Sequence, residues 1–312
     1  MTFVDGPVTV TVPATSANLG SGFDALGLAL DLRDELEAVV VPEGLEVIVS
    51  GEASDDVSLD ERHLVVRAMR AAFDAMGEQP SGLRLTCRNA IPHARGLGSS
   101  AAAIVGGIHL ARALVEGGRS RLKDLAAFQL AASLEGHPDN VAAALLGGLT
   151  VSCADGPRVT AVSLPPPAGI DWVVLVPETE SSTHEARAVL PDVVPRADAV
   201  FNVQRVSLLL AALGAGRADL LDLAMQDRLH QPYRRRLFPW MEEVAAAGRR
   251  AGALGCVLSG AGPCLLAAVP ARGGQVVAAS MAKALLAAGI AGQALHLPVD
   301  PRGATWERLP QT

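Results

Sequence analysis

A chain of 312 residues with 26 Lys+Arg against 33 Asp+Glu carries a formal net charge of −7; half of it is hydrophobic, 19% is charged, and the aromatics are six Phe, three Trp and one Tyr. That apolar share is enough for a core, which excludes disorder, and at roughly 100–200 residues per domain the length points to two domains or one large one. Net acidity leaves no basic stripe for nucleic acid or an anionic membrane, so any phosphate-bearing ligand must be held by local geometry.

Other exclusions follow quickly. No stretch of ~18 residues is continuously apolar, as a spanning helix requires. Met1 to Pro13 holds Asp5 and no basic residue, unlike a secretory leader. Cys87, Cys153, Cys256 and Cys264 form no C-x-x-C pair and no zinc spacing, and are expected as small buried residues in a reducing compartment. A soluble, cytoplasmic protein is expected. Lys123 and Lys283 are the only lysines, and neither ends a G-x-x-x-x-G-K-[ST] loop nor sits in a V-A-I-K-like strand. The P-loop and protein-kinase phosphate sites both need such a lysine.

In chain order, Val8 to Val12 alternates and predicts a strand ended by Pro13. Leu36 to Val41 and Leu45 to Val49 predict strands around the turn Pro42-Glu43-Gly44. Glu61 to Met76 has helical apolar spacing and stops at Gly77. Leu83 to Cys87 predicts a strand leading into a Gly-rich segment, followed by helices from Ser99 or Ser100 to Val115, Leu122 to Glu135 and Asn140 to Leu146. Strands return at Leu149 to Cys153, Val159 to Val162 and Trp172 to Val176, with Pro165-Pro166-Pro167 as the linker. Helices at 183–190, 198–213, 217–226 and 239–251 precede strands Cys256 to Leu258 and Cys264 to Val269. A helix at 273–288 and a strand at 293–297 follow, and Asp300 to Thr312 reads as a loose tail. The pattern is α+β, in two halves with a cleft between them.

Four segments carry chemistry. In Pro92-His93-Ala94-Arg95-Gly96-Leu97-Gly98-Ser99-Ser100-Ala101-Ala102-Ala103 the glycines permit close backbone approach. Two serines then open an apolar helix, whose free amides and dipole suit nucleotide phosphates. Glu135-Gly136-His137-Pro138-Asp139-Asn140 gathers two carboxylates, an imidazole and an amide between helices, with Glu135 as the candidate Mg²⁺ ligand. Pro13 to Asp24 ends a strand in a polar loop holding Asn18 and Asp24, and Gly255 to Cys264 places a small-residue loop between two strands. The segments Ser182-Thr183-x-x-x-Arg187 and Asp227 to Arg234 place arginines in apolar or mixed surroundings; Arg can fork a carboxylate, though most surface arginines are merely solvated.

Taken together, P-A-T-S-A-N-L-G-S-G-F-D, G-L-G-S-S-A-A, H-P-D-N and S-G-A-G-P, in that order over residues 13–264, resemble the GHMP kinase superfamily. Within it the chain is similar to the homoserine kinase branch, as is D-R-L-H-Q-P-Y-R at 227–234. The resemblance implies a two-domain GHMP kinase fold: a ribosomal S5 domain 2-like N-terminal domain, expected at 1–164, and a ferredoxin-like C-terminal domain at 165–312. It implies ATP and Mg²⁺ as cofactors and L-homoserine as the small-molecule substrate, with a homodimer as a family-level expectation. Pro92, Arg95, Gly96, Leu97, Gly98, Ser99, Ser100, Ala101 and Ala102 would form the phosphate loop, and Ser100 and Glu135 would hold Mg²⁺. Asn18, Asp24, Asp139, Thr183 and Arg234 would bind substrate, with Asn140, Arg187 and His137 nearest the reaction.

Mevalonate-type members of the superfamily carry a Lys in the first motif and an Asp base where Asn140 stands here. An amide accepts no proton at neutral pH, so catalysis without a dedicated base is expected, with His137 as the rival base. Two other readings are an isoprenoid-precursor or sugar kinase, which the missing Lys and Asp disfavour, and a nucleotide sensor without turnover. The joint presence of phosphate loop, metal candidate and arginines disfavours the sensor.

Overall fold

The computed structural model describes residues 2–308. Strand β1 (Val8–Ala17) does not stop at Pro13: it runs on, and its register against β2 (Leu26–Val41) shifts between Pro13 and Ala14. A bulge is where a strand tolerates a residue without an N–H. β2 begins ten residues before the predicted strand, because Leu26 to Leu30 is buried on both faces and so shows no alternation. The remaining elements of this half are β3 (Gly44–Gly51), α1 (Leu64–Met76), β4 (Gly82–Asn89), α2 (Ser99–Leu114), α3 (Gly118–Arg121), α4 (Asp124–Glu135), α5 (Asp139–Leu146), β5 (Leu149–Asp155) and β6 (Arg158–Leu164). β3 is no hairpin partner of β2; it pairs with β4 in parallel, and α1 makes the crossover.

The second half contains β7 (Ile170–Pro177), α6 (Thr183–Ala188), α7 (Arg196–Ala215), a 3₁₀ turn (Ala218–Leu220), α8 (Leu221–Ala224), α9 (Gln231–Arg234), α10 (Met241–Arg250), β8 (Gly255–Leu258), β9 (Leu265–Pro270), α11 (Gly274–Ala287), β10 (Gly292–Leu297) and β11 (Thr305–Arg308). Its sheet runs β10-β7-β9-β8, all antiparallel. With α10 and α11 this is the β-α-β-β-α-β order of a ferredoxin-like unit. The first sheet has the order β11-β1-β2-β4-β3, with β5 and β6 branching from β2.

Two cores result. Val10, Val12, Leu36, Leu83 and Leu85 of the first sheet pack with Met69, Phe73, Ile104 and Ile108 from α1 and α2. Val173, Leu175, Leu265 and Ala267 of the second pack with Val244, Val277, Met281 and Leu285. Each large apolar side chain so buried contributes about 1.5–3 kcal/mol. α7 has the length and composition to cross a membrane, yet it carries Arg196, Asp198 and Arg205 and packs Leu209, Ala212 and Leu213 into the fold. Cys153, expected to be buried, is exposed on β5; the other three cysteines are buried.

The expected loose tail is ordered as far as Arg308, and residues 309–312 lie outside the described part. β11 adds to the first sheet beside β1, with Val10 opposite Trp306. Asp300 is fully buried and anchors this return: it pairs with Arg33 and accepts from the amides of Arg302 (2.7 Å) and Gly303 (3.2 Å). Burial opposes the charge of Asp300, but the Arg302 amide and the Arg33 guanidinium outweigh it and lower its pKa. A lowered carboxyl pKa contributes stability above the ordinary Asp value of about 3.9, and that contribution fades as pH falls through the folded value. Asp300→Ala should lower stability at pH 7 by about 3–5 kcal/mol in denaturant melts, with part of the difference disappearing at low pH. An unchanged midpoint contradicts the anchor.

Candidate active site

The N-terminal half of α2 sits behind three loops that lock together. Three consecutive carbonyls of the loop before α2 are taken up by neighbouring segments: Arg95 O accepts from Cys264 N (3.1 Å), Gly96 O from Ser259 Oγ (2.7 Å) and Leu97 O from Thr15 N (3.0 Å). With its one hydrogen spent on Gly96 O, Ser259 Oγ accepts from Ser16 Oγ (2.8 Å), and Gly260 N donates to Ala17 O (3.1 Å). Glycine is required at two points. Gly96 (φ 81°) has no room for a Cβ, which would stand 2.4 Å from Ser259 O; at Gly98 (φ 69°) it would stand 1.9 Å from Thr15 Oγ1. No side chain caps α2. Its first-turn amides therefore face forward without a protein acceptor, with the positive end of the helix dipole behind them.

They face a cleft of about 220 Å³ that gathers residues from both halves of the chain. Of the residues singled out in the sequence, Asn18, Asp24, Arg95, Gly96, Gly98, Ser99, Ser100, Glu135, His137, Asp139, Asn140, Thr183, Arg187 and Arg234 all line it. Pro92, Leu97, Ala101 and Ala102 do not; they are buried behind the loop and support it. Asn18 (φ 73°), Asp24 (φ 55°) and Ala94 (φ 52°) hold left-handed conformations unusual for side-chain-bearing residues, and all three line the cleft.

Two carboxylates and an imidazole cluster in the cleft. Ser100 Oγ donates to Glu135 Oε2 (2.6 Å). Burial raises the Glu135 pKa, partly offset by that hydrogen bond and by His137. His137 Nδ1 bonds Asp139 Oδ1 (2.8 Å), which also accepts from the Asn140 amide (2.7 Å). Burial opposes a charge on His137, but the Asp139 hydrogen bond and the Asp139 and Glu135 carboxylates outweigh it and raise its pKa. Asn140 Oδ1 accepts from Thr15 Oγ1 (2.8 Å), which leaves the Nδ2 donors to the cleft.

Two arginines and Asp24 form a second cluster. Arg187 forms a two-toothed pair with Asp24 (3.0 and 2.7 Å). Arg234 is buried, and burial pulls its pKa down to about 10, so it remains a cation at neutral pH. Its Nε donates to Ala186 O (3.1 Å), while one terminal nitrogen serves both Gly260 O (3.0 Å) and His230 Nδ1 (3.1 Å). Only the other terminal nitrogen is left, so Arg234 offers a ligand one nitrogen, not the expected fork. Asn18 is likewise engaged at both ends, donating to Gly260 O (2.9 Å) and accepting from Asp24 N (3.0 Å), and braces two loops.

A second cleft of about 310 Å³ adjoins the first and shares His93, Ser99 and Ser100 with it. Leu36, Val65, Ile91 and Ala103 make it more apolar, and the buried His63 lines it with an Nδ1 that has no protein partner. Asp34 lies at its edge, its pKa pushed up to about 6 by burial against hydrogen bonds from the Ala90 and Ile91 amides. Sequence spacing gave no sign of this cleft, nor of Thr15, Ser259 and His230 as braces, since their partners lie up to 243 positions away.

Models of the GHMP kinase N-terminal and C-terminal domains match residues 63–148 and 209–286. The chain belongs to the GHMP kinase family. Among its relatives, the homoserine kinase of Streptomyces avermitilis is 48% identical over 96% of this chain and 95% of its own. That of Carboxydothermus hydrogenoformans is 43% identical over 95% and 96%. The crystal structure of homoserine kinase from Cytophaga hutchinsonii superposes with a TM-score of 0.88 at 29% identity, covering 98% of this chain and 99% of that one.

Gly98→Ala tests the loop. The added methyl must displace Thr15, and through it Asn140, at a cost of about 1–3 kcal/mol in stability, and it should weaken ATP binding at least ~10-fold in calorimetric titration. Unchanged affinity contradicts the close approach.

Proposed function

We propose that this chain transfers the γ-phosphoryl group of ATP to the hydroxyl of L-homoserine, giving O-phospho-L-homoserine in threonine biosynthesis. One observation carries the reading: a single small cleft joins the uncapped start of α2, built for phosphate, to the Asp24, Arg187 and Arg234 charges, which match an amino-acid zwitterion. The nucleoside lies in the adjoining apolar cleft, which meets the first at Ser99 and Ser100. The triphosphate then crosses the first turn of α2. A cytoplasmic setting and a homodimer belong to the same reading.

Ser100 and Glu135 fit Mg²⁺: one buried carboxylate with a raised pKa and one hydroxyl, 2.6 Å apart beside the phosphate site, are the sparse donor set that ion accepts. When bound, the ion neutralises charge on the phosphate oxygens. The chain's own residues do the rest. Asp24 receives the substrate ammonium, and Arg187 and the free nitrogen of Arg234 receive its carboxylate. Asn140, oriented by Thr15, donates from Nδ2 toward the reacting oxygens. It cannot accept a proton. Asp139 and Glu135 favour the protonated ring of His137 and raise its pKa against the effect of burial, which disfavours the neutral imidazole a base requires. The hydroxyl proton passes to a γ-phosphate oxygen, and the rate comes from alignment and charge stabilisation.

An ADP-release assay with homoserine, mevalonate and galactose, with and without Mg²⁺, should show turnover with homoserine and Mg²⁺ alone. Turnover of mevalonate or galactose in its place refutes the reading. His137→Ala should raise the KM for homoserine and cost less than ~10-fold in kcat; a loss of ~10²–10⁴ in kcat with KM intact identifies a base. Because the His137 pKa is raised, a base there would make kcat climb as pH rises through that raised value and the imidazolium loses its proton. The base-free account expects no such climb.

A further inference from the structure

We propose that His230 is a positioning residue for substrate binding: its imidazole, held as the Nε2–H tautomer, presents an Nδ1 lone pair that fixes the Arg234 guanidinium with one nitrogen free toward the cleft. The proposal rests on the reading of Arg234 as a substrate contact.

The geometry leaves the ring one arrangement. His230 is fully buried, and its Nε2 lies 2.8 Å from the Gly20 carbonyl, which can only accept. The hydrogen therefore sits on Nε2, and Nδ1, 3.1 Å from Arg234, is the acceptor. A proton on Nδ1 would set two donors face to face beside a guanidinium. Burial favours the neutral ring, against the pull of Asp227 (3.5 Å). Phe23 lies flat on the imidazole, with centroids 5.1 Å apart and planes 19° apart, and the Arg234 guanidinium sits 5.6 Å from the same ring. Asp227 pins the segment from beneath, accepting from the amides of Leu229 (2.8 Å), His230 (3.1 Å) and Gln231 (2.7 Å). Without the Nδ1 acceptor, Arg234 keeps Ala186 O and Gly260 O but loses the third of its contacts, and a buried N–H of that terminal nitrogen is left to seek another acceptor. Its free nitrogen then no longer points one way.

Two substitutions separate this role from simple anchoring. In His230→Asn the amide oxygen stands near the position of Nδ1 and can still accept from Arg234, while the bond to Gly20 is lost. In His230→Gln the amide nitrogen reaches Gly20, and the acceptor for Arg234 is lost. The Gln variant should raise the KM for homoserine about 10–100-fold, with kcat and the KM for ATP within about 3-fold of the unmodified protein; the Asn variant should stay within about 3-fold on all three. In an Arg234→Ala background, His230→Gln should add no further rise. Nitrogen-15 NMR of labelled histidine in the unmodified protein should show Nε2 protonated and Nδ1 bare, a readout that survives if neither variant folds. A protonated Nδ1, equal KM changes in the two variants, or an undiminished effect of His230→Gln without Arg234 overturns the proposal. So does an Arg234→Ala variant with an unchanged homoserine KM. Failure of the functional reading itself looks different: no homoserine turnover by the unmodified protein, whatever the tautomer.

Discussion

The site depends on where three consecutive carbonyls point. Arg95, Gly96 and Leu97 direct theirs into Cys264, Ser259 and Thr15, away from the cleft. A peptide unit that sends its carbonyl one way sends an amide the other, and these amides continue into the uncapped first turn of α2. In a chain of net charge −7 no global field gathers anions, so on the proposed reading this local row of donors takes that role. The two halves of the chain are both needed: Ser259 and Cys264 belong to the ferredoxin-like unit, while the loop they hold belongs to the first sheet.

The second constraint is the pairing of opposite charges around the cleft. Glu135, Asp139 and His137 form one cluster and Asp24, Arg187 and Arg234 another, close enough that the Glu135 and Asp139 carboxylates act on Arg187. Asp24 and Arg187 pair with each other before any ligand arrives, so on the proposed reading a bound zwitterion exchanges that pair for its own ammonium and carboxylate. Arg234 is the most confined. With two carbonyls and one imidazole around it, it keeps a single nitrogen for recognition.

Much of this was legible in the sequence where local chemistry decides structure. Gly77 ends α1 in a left-handed cap, and Gly96 and Gly98 adopt the positive φ that the motif implied. The start of α2 at Ser99 and the break between α4 and α5 around Gly136-His137-Pro138 also follow from short-range signals. The misreadings share one cause, namely partners far away in the chain. Pro13 reads as a stop, yet a bulge against β2 absorbs it. Leu26 to Leu30 lacks alternation because both faces are covered, and residues 300–308 look like a tail because their partners, Arg33 and β1, come some 270 positions earlier. His230 appears in the sequence only as one polar residue in D-R-L-H-Q-P-Y-R; its tautomer is set by the carbonyl of Gly20, which no spacing could reveal.

The central claim is most directly tested by a crystal structure with a non-hydrolysable ATP analogue. The account requires phosphate oxygens at about 2.7–3.2 Å from the first-turn amides of α2, with the base in the apolar cleft lined by His63 and Val65. A nucleotide bound at full occupancy elsewhere, with those amides left to solvent, contradicts it.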